Sequence, residues 1–531
     1  MPDPNETLQI RSNDMVDPVP DPEHSEAVRG DLTMALIDQD TWSDELITSA
    51  GIPIVDVAFV SVGGGMGSFI LTDFLRIAGV PAANIRVLTV QDAPWQTYEY
   101  LTGVSQVPRQ ERLRSDSQSM PDNIWGFPSF AFREAWEDKT FAPVWNVVTE
   151  PTLCDYYTPR AGQVFKTMER EANRIGYWPL VTKGQVRMVR RRIGGGYFTI
   201  LTPPAGTSAT KRVAYRSTYV HIAVGYPGVK FLPDLQEYRV RHPDSTRVVN
   251  AYEPHEHVYE ELSRRPGLVM VRGGGIVASR VLQRLIDDRD QFGLETQILH
   301  LFRNYPDKSY GPSIFLRRRA KDGWTYQGFN WPKAAWGGVY KAKIEKLEGE
   351  ERARYYQALN STNTPSRKLW KRQLERGRAE GWYRTLVGTV ERVVPGDDNQ
   401  ITTRIKGDSG TLEVGAHFVI DATGLESDIR EHRLLADLLD HSGARRNPLD
   451  RLDVERSFEV RGVANAPGAM YASGSMTLGG YFAGVDTFLG LQYSSLRIID
   501  DLAARGFCRR MGPGRAFAQW TRWARHKPLA P

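Results

Sequence analysis

The feature that most constrains the fold of this chain is a glycine-rich turn between a short apolar segment and an amphipathic one. Residues 57–62 are apolar and rich in β-branched side chains, a pattern typical of a buried parallel strand. The turn Gly63-Gly64-Gly65-Met66-Gly67-Ser68 follows at once, and apolar residues then recur at helical spacing until Gly79 and Pro81. Residues 85–90 predict the next strand. This order is that of a βαβ unit that binds a dinucleotide.

Each position of the turn has a physical role in such a unit. Gly63 allows the tight turn, Gly65 lets the backbone approach a pyrophosphate, and the small Ser68 lets helix and strand pack closely. The helix N-terminus directs N–H groups and a positive dipole end at the phosphates. The expected phosphate-binding residues are Gly63, Gly65, Met66, Gly67 and Ser68. The alternative is a turn with a purely structural role.

The end of the second strand carries the candidate for the ribose hydroxyls. Asp92 stands there with Gln91 beside it, at a spacing from the turn close to that of known dinucleotide units. Strand ends are poorly placed from sequence, so the pattern leaves open which of the two residues reaches the ribose.

A second unit of the same kind occurs later in the chain. Residues 267–271 are apolar, a G-x-G-x-x-A turn begins at Gly273, and a helix and a strand over residues 296–301 follow. This internal repeat predicts two dinucleotide sites. The expected contacts of the second site are Gly273, Gly275, Ile276, Val277, Ala278 and Ser279.

The second unit favours NADPH over NADH. Its second strand ends in Phe302-Arg303, without an acidic residue. An acid there would repel the 2′-phosphate of NADP, whereas an arginine pairs with it. The candidates for this contact are Arg303 and, at the start of the helix, Arg280.

Composition and charge exclude several classes of protein. The 531 residues carry a net charge of only +5 without a dominant basic tract, which favours phosphate ligands over nucleic acid. The two cysteines, Cys154 and Cys508, are far apart, which excludes a disulfide framework and a CxxC centre. No metal-ligand spacing, membrane span or secretory signal is visible, so we expect a cytoplasmic protein without a metal, with a homo-oligomer possible.

Two dinucleotide units in one chain are simplest to explain if one holds a flavin and the other delivers hydride to it. The first, with an acid at its strand end, suits FAD, and the second suits NADPH. The predicted fold class is α/β, with two Rossmann-like domains, the second inserted in the first, and small antiparallel β meanders. The expected segments are an extension (1–50), FAD-binding parts (51–232 and 386–508), an NADPH-binding domain with a helical substrate-facing region (233–385) and a tail (509–531).

The chain resembles the flavoproteins with two dinucleotide-binding domains over most of residues 55–505. The resemblance rests on the GGGMGS and GGGIVA turns and on the strand-end segments IAVGYP and DATGLESD, although Val224 replaces the usual threonine of the first. Within that group it is most similar to the class B flavin-dependent monooxygenases, particularly the N-hydroxylating branch. An aromatic-rich segment after the first unit and the ALNSTNTPSRKLW loop carry this similarity. Paired cysteines of disulfide reductases are absent, and Val249–Tyr259 does not match the Baeyer–Villiger fingerprint.

This resemblance implies NADPH- and O2-dependent oxygenation of a small molecule. The expected reaction is N-hydroxylation of an amine or amino acid through a C4a-(hydro)peroxyflavin. Further expected cofactor contacts are Arg114, Ala422, Thr423, Gly424, Asp486, Thr487 and Phe488. Asn363 and Thr364 lie in the loop expected near nicotinamide and substrate, although a plain connection between helices is the alternative.

Three alternatives to N-hydroxylation stay open. The first is an NAD(P)H-dependent flavin oxidoreductase or dehydrogenase that inserts no oxygen. The second is an S-oxidising or Baeyer–Villiger member of class B. The third is a nucleotide-bound regulatory or scaffold protein whose flavin site has decayed.

Overall fold

The computed structural model describes residues 30–112, 129–149, 157, 159–204, 206, 211–243, 245–303, 318–319, 324–326, 338–359, 368–525 and 527–529. The strands are β1 (Thr41–Trp42), β2 (Ile54–Asp56), β3 (Phe59–Val62), β4 (Ile85–Thr89), β5 (Val181–Lys183), β6 (Gln185–Arg192), β7 (Tyr197–Thr202), β8 (Val213–Ser217), β9 (Tyr219–Ile222), β10 (Val248–Asn250), β11 (Leu268–Arg272), β12 (Gln297–Phe302), β13 (Arg318–Arg319), β14 (Thr325–Tyr326), β15 (Tyr383–Val387), β16 (Thr389–Pro395), β17 (Ile401–Gly407), β18 (Gly410–Ala416), β19 (Phe418–Asp421) and β20 (Ala469–Ala472). The α-helices are α1 (Met34–Ile37), α2 (Asp44–Ser49), α3 (Met66–Ile77), α4 (Gln96–Val104), α5 (Ser129–Glu137), α6 (Ala142–Thr149), α7 (Ala161–Ile175), α8 (Pro233–Arg241), α9 (Glu256–Arg264), α10 (Ile276–Phe292), α11 (Val339–Ile344), α12 (Gly349–Leu359), α13 (Lys368–Glu380), α14 (Arg433–His441), α15 (Phe488–Ala504) and α16 (Pro513–Ala524).

The first parallel sheet has the strand order β20-β9-β3-β4-β5, and every neighbouring pair is parallel. All four residues of β3 are buried, because helices cover both faces of such a sheet. The chain runs from β3 outward through β4 to β5 and then returns to the other side of β3 at β9. This reversal is the topological switch point where open α/β sheets bind their ligands.

The second parallel sheet has the order β10-β19-β11-β12-β15, again with only parallel pairs. Its strands all lie in the sequence between β9 and β20, so the second Rossmann-like unit is inserted in the first. Strands β16, β17 and β18 form an antiparallel meander that leaves and re-enters this unit. In the structure β19 pairs with β11 and so belongs to the second sheet. From the sequence, this strand is expected in the FAD-binding part that starts at residue 386.

Two stretches of chain connect the units, and they lie side by side. The outgoing stretch follows β9 and the returning stretch follows β19. The amide of Glu426 donates to the carbonyl of Gly228 at 2.9 Å, and the amide of Leu232 donates to Asp421 Oδ2 at 2.8 Å. Burial raises the pKa of the Asp421 carboxyl, and its bonds to backbone amides oppose that shift.

A third sheet has the order β1-β6-β7-β8-β2, in which β6, β7 and β8 form the antiparallel meander predicted from the sequence. Its side chain Arg190 is fully buried and forms an ion pair with Asp437 of α14 at 2.5 Å. The same guanidinium donates to the carbonyls of Ile37 and Gln39. These bonds satisfy a buried charge and join the third sheet to the N-terminal helix.

Helix α3 follows the first glycine turn and packs between α15 and α7. Its apolar residues, including Phe69, Phe74 and Leu75, are fully or almost fully buried.

Among the described residues, no helix combines the length and apolar character that crossing a membrane requires.

Two buried histidines bridge neighbouring strands of the parallel sheets. His221 of β9 lies between the hydroxyls of Ser61 (2.9 Å) and Ser473 (2.8 Å). His300 of β12 lies between the Tyr383 hydroxyl (3.0 Å) and the Gly273 carbonyl (2.5 Å). Burial lowers the pKa of His221 to about 3 and that of His300 to about 4. Both rings are therefore neutral at neutral pH, and a protonated ring would lack water around its charge.

This burial predicts a loss of stability in mild acid. Below pH 6.5 the unfolded chain protonates both histidines while the folded chain does not, so each removes about 1.4 kcal/mol of unfolding free energy per pH unit. Urea unfolding of the protein between neutral pH and about pH 5 measures this slope. The variant His221→Asn should be less stable at neutral pH but should show a shallower slope. A stability that does not change over this pH interval would contradict the prediction.

Candidate functional site

The first glycine turn is pressed between the ends of two strands. Gly63 has φ +121°, and a Cβ on it would stand 2.3 Å from the carbonyl oxygen of Ala223, just beyond β9. Gly64 has φ +62°, and its Cβ would stand 2.2 Å from the Cβ of Thr89 at the end of β4. Only glycine fits at either position, because both the backbone angles and the contacts exclude a side chain.

The turn leads into the N-terminus of α3. Gly65 is the N-cap, and since it has no side chain it leaves the amides of the first turn open to a ligand. Ser68 Oγ accepts a hydrogen bond from the amide of Gly64 at 3.1 Å. A Cβ on Gly67 would stand 3.1 Å from Ser473 Oγ, so the helix lies close to the end of β20. The sequence predicts Met66, Gly67 and Ser68 as part of the glycine-rich turn, and the structure places them in the first turn of α3.

Gln91 faces this turn, whereas Asp92 points elsewhere. The side-chain oxygen Oε1 of Gln91 lies 3.7 Å from where a Cβ on Gly65 would stand. The side-chain nitrogen Nε2 of Gln91 donates to Thr97 Oγ1 at 2.9 Å. Its Oε1 is buried and has no hydrogen-bond partner among the described residues. Asp92 is largely exposed and forms an ion pair with Lys183 at 2.8 Å. A ribose hydroxyl near the turn therefore has Gln91 Oε1 as its available acceptor.

The second turn repeats the geometry of the first. Gly273 follows β11 with φ +126°, and its Cβ would stand 2.4 Å from the carbonyl oxygen of Ala422, just beyond β19. Gly275 is the N-cap of α10 and has no side chain that could accept hydrogen bonds from the backbone amides of the first helical turn. Ile276, Val277, Ala278 and Ser279 form the first turn of that helix.

The two arginines predicted to bind a 2′-phosphate lie in different surroundings. Arg303 is exposed directly after β12, at the strand end that faces a bound adenosine in such units. Arg280 is largely buried in an ion pair with Glu111, which belongs to the segment after α4. Arg284 of the same helix donates to Gln106 at 3.0 Å. Two arginines of α10 therefore join the second unit to the first.

The segment Ala422-Thr423-Gly424 lies beside the second turn rather than the first. Ala422 makes the close approach to Gly273, and Thr423 donates to Asp421 Oδ1 through its amide (3.0 Å) and its hydroxyl (2.6 Å). The corresponding segment beside the first turn begins at Ala223. The two strand-end motifs thus take equivalent positions in the two units.

The start of α15 approaches the first unit through a capped turn. Thr487 is the N-cap, and its hydroxyl accepts from the amide of Gly490 at 3.1 Å. Asp486 accepts a hydrogen bond from the Tyr226 hydroxyl at 2.9 Å. Phe488 is buried and packs edge-on against Tyr98, with ring centroids 5.3 Å apart. These contacts fix the helix N-terminus relative to the segment that follows β9.

Sequence reasoning missed Tyr356 because its position on α12 carries no recognisable spacing. Its hydroxyl donates to the carbonyl of Ala483, in the loop before α15. The side chain also lines an open cleft of about 280 Å³, together with Gln357, Leu449, Arg451 and Leu478. The predicted residues Arg114, Asn363 and Thr364 lie outside the described part of the chain.

Two features of the described residues concern metal ligands and one cysteine. In the part of the chain that the structure describes, no group of three or more His, Cys, Asp or Glu side chains is placed to hold a metal ion. Burial raises the pKa of Cys508 to about 11, which keeps it a neutral and weakly reactive thiol.

Comparison with known proteins gives structural matches only. No protein-family model and no curated protein matches the chain. A cadaverine monooxygenase of desferrioxamine biosynthesis from Erwinia amylovora, bound to FAD, matches with a TM-score of 0.62 at 11% identity, over 86% of this chain and 96% of its own. An ornithine N-hydroxylase from Kutzneria sp. 744, with reduced FAD, NADP+ and L-ornithine, matches with a TM-score of 0.60 at 13% identity, over 85% of this chain and 100% of its own.

A protein of different chemistry shares this fold. The bacillithiol disulfide reductase of Bacillus cereus matches with a TM-score of 0.51 at 13% identity, over 85% of this chain and 100% of its own. At such identities the likeness shows the fold and leaves the reaction to other arguments. The three matches confirm the predicted α/β fold class. The match to the ornithine N-hydroxylase also confirms the predicted structural resemblance to the N-hydroxylating flavoproteins.

The geometry of the first turn predicts opposite outcomes for two neighbouring glycines. Gly65→Ala adds a methyl group whose nearest protein atoms are 3.7 Å away, so the apoprotein should keep its melting temperature. We expect this variant to lose most of its FAD, because the methyl group occupies the space where a pyrophosphate approaches the backbone. Gly63→Ala should lower the melting temperature itself, because its Cβ meets the Ala223 carbonyl. The flavin content of the purified variants measures FAD retention, and thermal unfolding measures the melting temperature. Full FAD retention by Gly65→Ala would refute the assignment of the FAD pyrophosphate to this turn.

Proposed function

We propose that this chain is an FAD- and NADPH-dependent monooxygenase that hydroxylates the nitrogen of a small amine or amino acid. The observation that carries the proposal is the pair of matching glycine turns, each at the switch point of its own parallel sheet. Two dinucleotide sites in one chain suit a flavin that stays bound and a nicotinamide that reduces it.

The first unit fits the adenosine and diphosphate of FAD. The open amides of α3 suit the diphosphate, and the buried Oε1 of Gln91, which has no partner within the described residues, suits a ribose hydroxyl. The N-terminus of α15 approaches the same unit and suits the flavin ring, on which negative charge develops during reduction. Asp486 and Thr487 would hold this helix end in place rather than take part in redox chemistry.

The second unit fits NADPH. The amides of α10 suit its diphosphate, and the exposed guanidinium of Arg303 suits the 2′-phosphate. Arg280 does not supply this contact in our proposal, because its charge is already compensated by Glu111.

When bound, the flavin supplies the redox and oxygen chemistry, and this chain supplies orientation and exclusion of water. The cleft beside Tyr356 is our candidate entrance for the substrate, because its walls come from α12, from the segment between α14 and β20, and from the segment between β20 and α15. The amines in the names of two structural neighbours, cadaverine and ornithine, support an amine as the substrate class.

A flavin oxidoreductase without oxygen insertion is the second candidate, favoured by the structural match to a disulfide reductase. Disulfide reduction through a dithiol would need a pair of neighbouring thiols, and the two cysteines of this chain, Cys154 and Cys508, are far apart in the sequence. Burial keeps Cys508 protonated, which also argues against a role in thiol exchange. A dithiol mechanism is therefore disfavoured, and the second candidate is electron transfer from the flavin to another acceptor.

The reaction is tested by following both electrons and oxygen. The purified protein is reduced with NADPH without air, and isotopically labelled O2 is then admitted in the presence of ornithine, lysine or cadaverine. We expect a yellow protein that NADPH bleaches and a hydroxylamine product that carries the label. Rapid NADPH oxidation with peroxide release and no labelled product from a wider panel of amines would support the oxidoreductase instead. A colourless protein that does not take up FAD would refute both.

The choice between NADPH and NADH is tested at Arg303. Arg303→Ala should raise the Michaelis constant for NADPH about tenfold, because it removes a charge-assisted contact to the 2′-phosphate, and should leave that for NADH nearly unchanged. Arg384→Ala is a matched control, because Arg384 is also exposed on the second sheet but contacts Gln297 at the opposite strand end. Steady-state kinetics with both coenzymes measures the ratio, and equal changes for both would remove Arg303 from the 2′-phosphate site.

A further inference from the structure

The carbonyl oxygen of the first glycine of each turn accepts a hydrogen bond from a side chain of the next strand. In the first unit, Thr89 Oγ1 donates to the carbonyl of Gly63 at 3.0 Å. In the second unit, His300 Nε2 donates to the carbonyl of Gly273 at 2.5 Å. Two unrelated side chains thus serve the same backbone atom of the two turns. A recurrence with different chemistry indicates a requirement of the turn itself.

The bond from Thr89 fixes the orientation of one peptide group. The carbonyl of Gly63 is held by Thr89, and the N–H of the same peptide, on Gly64, donates to Ser68 Oγ at 3.1 Å. A peptide group rotates as a plane, and glycine flanks permit either orientation at little cost. Rotation of this peptide would turn its carbonyl oxygen away from Thr89 and toward the open amides of α3. An oxygen there repels phosphate, so the orientation seen is the one that suits an anion.

The donor in the second unit is itself fixed by a third side chain. His300 is fully buried, and burial lowers its pKa to about 4, so the ring is neutral at neutral pH. Since a carbonyl oxygen only accepts, Nε2 carries the proton, and Nδ1 accepts from the Tyr383 hydroxyl at 3.0 Å. The ring also packs against Phe302, with ring centroids 4.0 Å apart. Tyr383 of β15 thus selects the tautomer that braces the turn.

We propose that Thr89 and His300 are positioning residues for the two dinucleotides, Thr89 for the one at the first turn and His300 for the one at the second. Each holds the first peptide of its turn so that N–H groups, and not a carbonyl, face the diphosphate. Thr89 Oγ1 also accepts from the amide of Gln91 at 3.0 Å, which couples the turn to the candidate ribose contact. The inference rests on the two cofactor sites of the proposed function and does not depend on the reaction catalysed.

The test uses paired variants and two separate binding measurements. Thr89→Val removes the hydroxyl at nearly constant volume, and Thr89→Ser keeps a donor. His300→Leu removes the ring donor, and His300→Gln offers an amide N–H near the position of Nε2. The dissociation constant of FAD is measured on the apoprotein by flavin fluorescence, and that of NADP+ on the FAD-loaded protein by calorimetry.

We expect each loss of a donor to weaken only its own ligand. Thr89→Val should raise the FAD dissociation constant about tenfold and leave that of NADP+ unchanged, with Thr89→Ser close to wild type. His300→Leu should raise the NADP+ dissociation constant by about the same factor and leave FAD binding unchanged, with His300→Gln recovering most of the affinity. Thr199→Val is the control, because Thr199 is fully buried and its hydroxyl has no partner among the described residues.

The selectivity of these effects separates positioning from general destabilisation. Unchanged affinities in Thr89→Val and His300→Leu, equal losses of both ligands in either variant, or no recovery in Thr89→Ser and His300→Gln would each overturn the inference. If a variant does not fold by circular dichroism, Thr89→Ala or His300→Phe replaces it, since neither carries the donor. Failure of the proposed function is distinct from these outcomes: wild-type protein would then not bind FAD at all, or would bind both cofactors and form no hydroxylated product.

Discussion

The close approach between the first glycine of each turn and the carbonyl at the end of the neighbouring strand is the constraint on which this structure depends. Gly63 meets Ala223 and Gly273 meets Ala422, in both cases at a distance that no side chain permits. This close contact lies at the switch point of each sheet. It orients the following helix so that the helix N-terminus faces the crevice at the carboxyl ends of the strands. Every later feature of the two candidate sites, from the open amides to the strand-end residues, is placed relative to this contact.

Local features of the fold were accessible from the sequence because they depend on short-range patterns. The apolar run at residues 85–90 predicted a strand that the structure gives as Ile85–Thr89, and the strand expected over residues 296–301 is found at Gln297–Phe302. The choice of sheet for β19 was not accessible, because an apolar run such as Phe418–Ile420 reads the same in either parallel sheet.

The candidate sites were predictable where they follow the backbone and unpredictable where they depend on side-chain direction. Glycine positions followed from the turn itself, whereas the choice between Gln91 and Asp92 needed the contacts that point Asp92 at Lys183. The bonds from Thr89 and His300 join residues 26 and 27 positions apart, and they depend on the register between two strands. Arg280 illustrates the same limit, because its partner Glu111 lies in a different unit of the chain.

The paired connections between the units have a mechanical consequence. A single linker would let one unit swivel about its own backbone bonds, but two stretches bonded to each other act as a ribbon. A ribbon bends across its flat face far more readily than it twists. Torsion here would have to break the bonds from Leu232 to Asp421 and from Glu426 to Gly228. The two bonded stretches thereby favour one direction of opening and closing between the two units, and such a movement would keep the two dinucleotides of the proposed function facing each other in the same alignment.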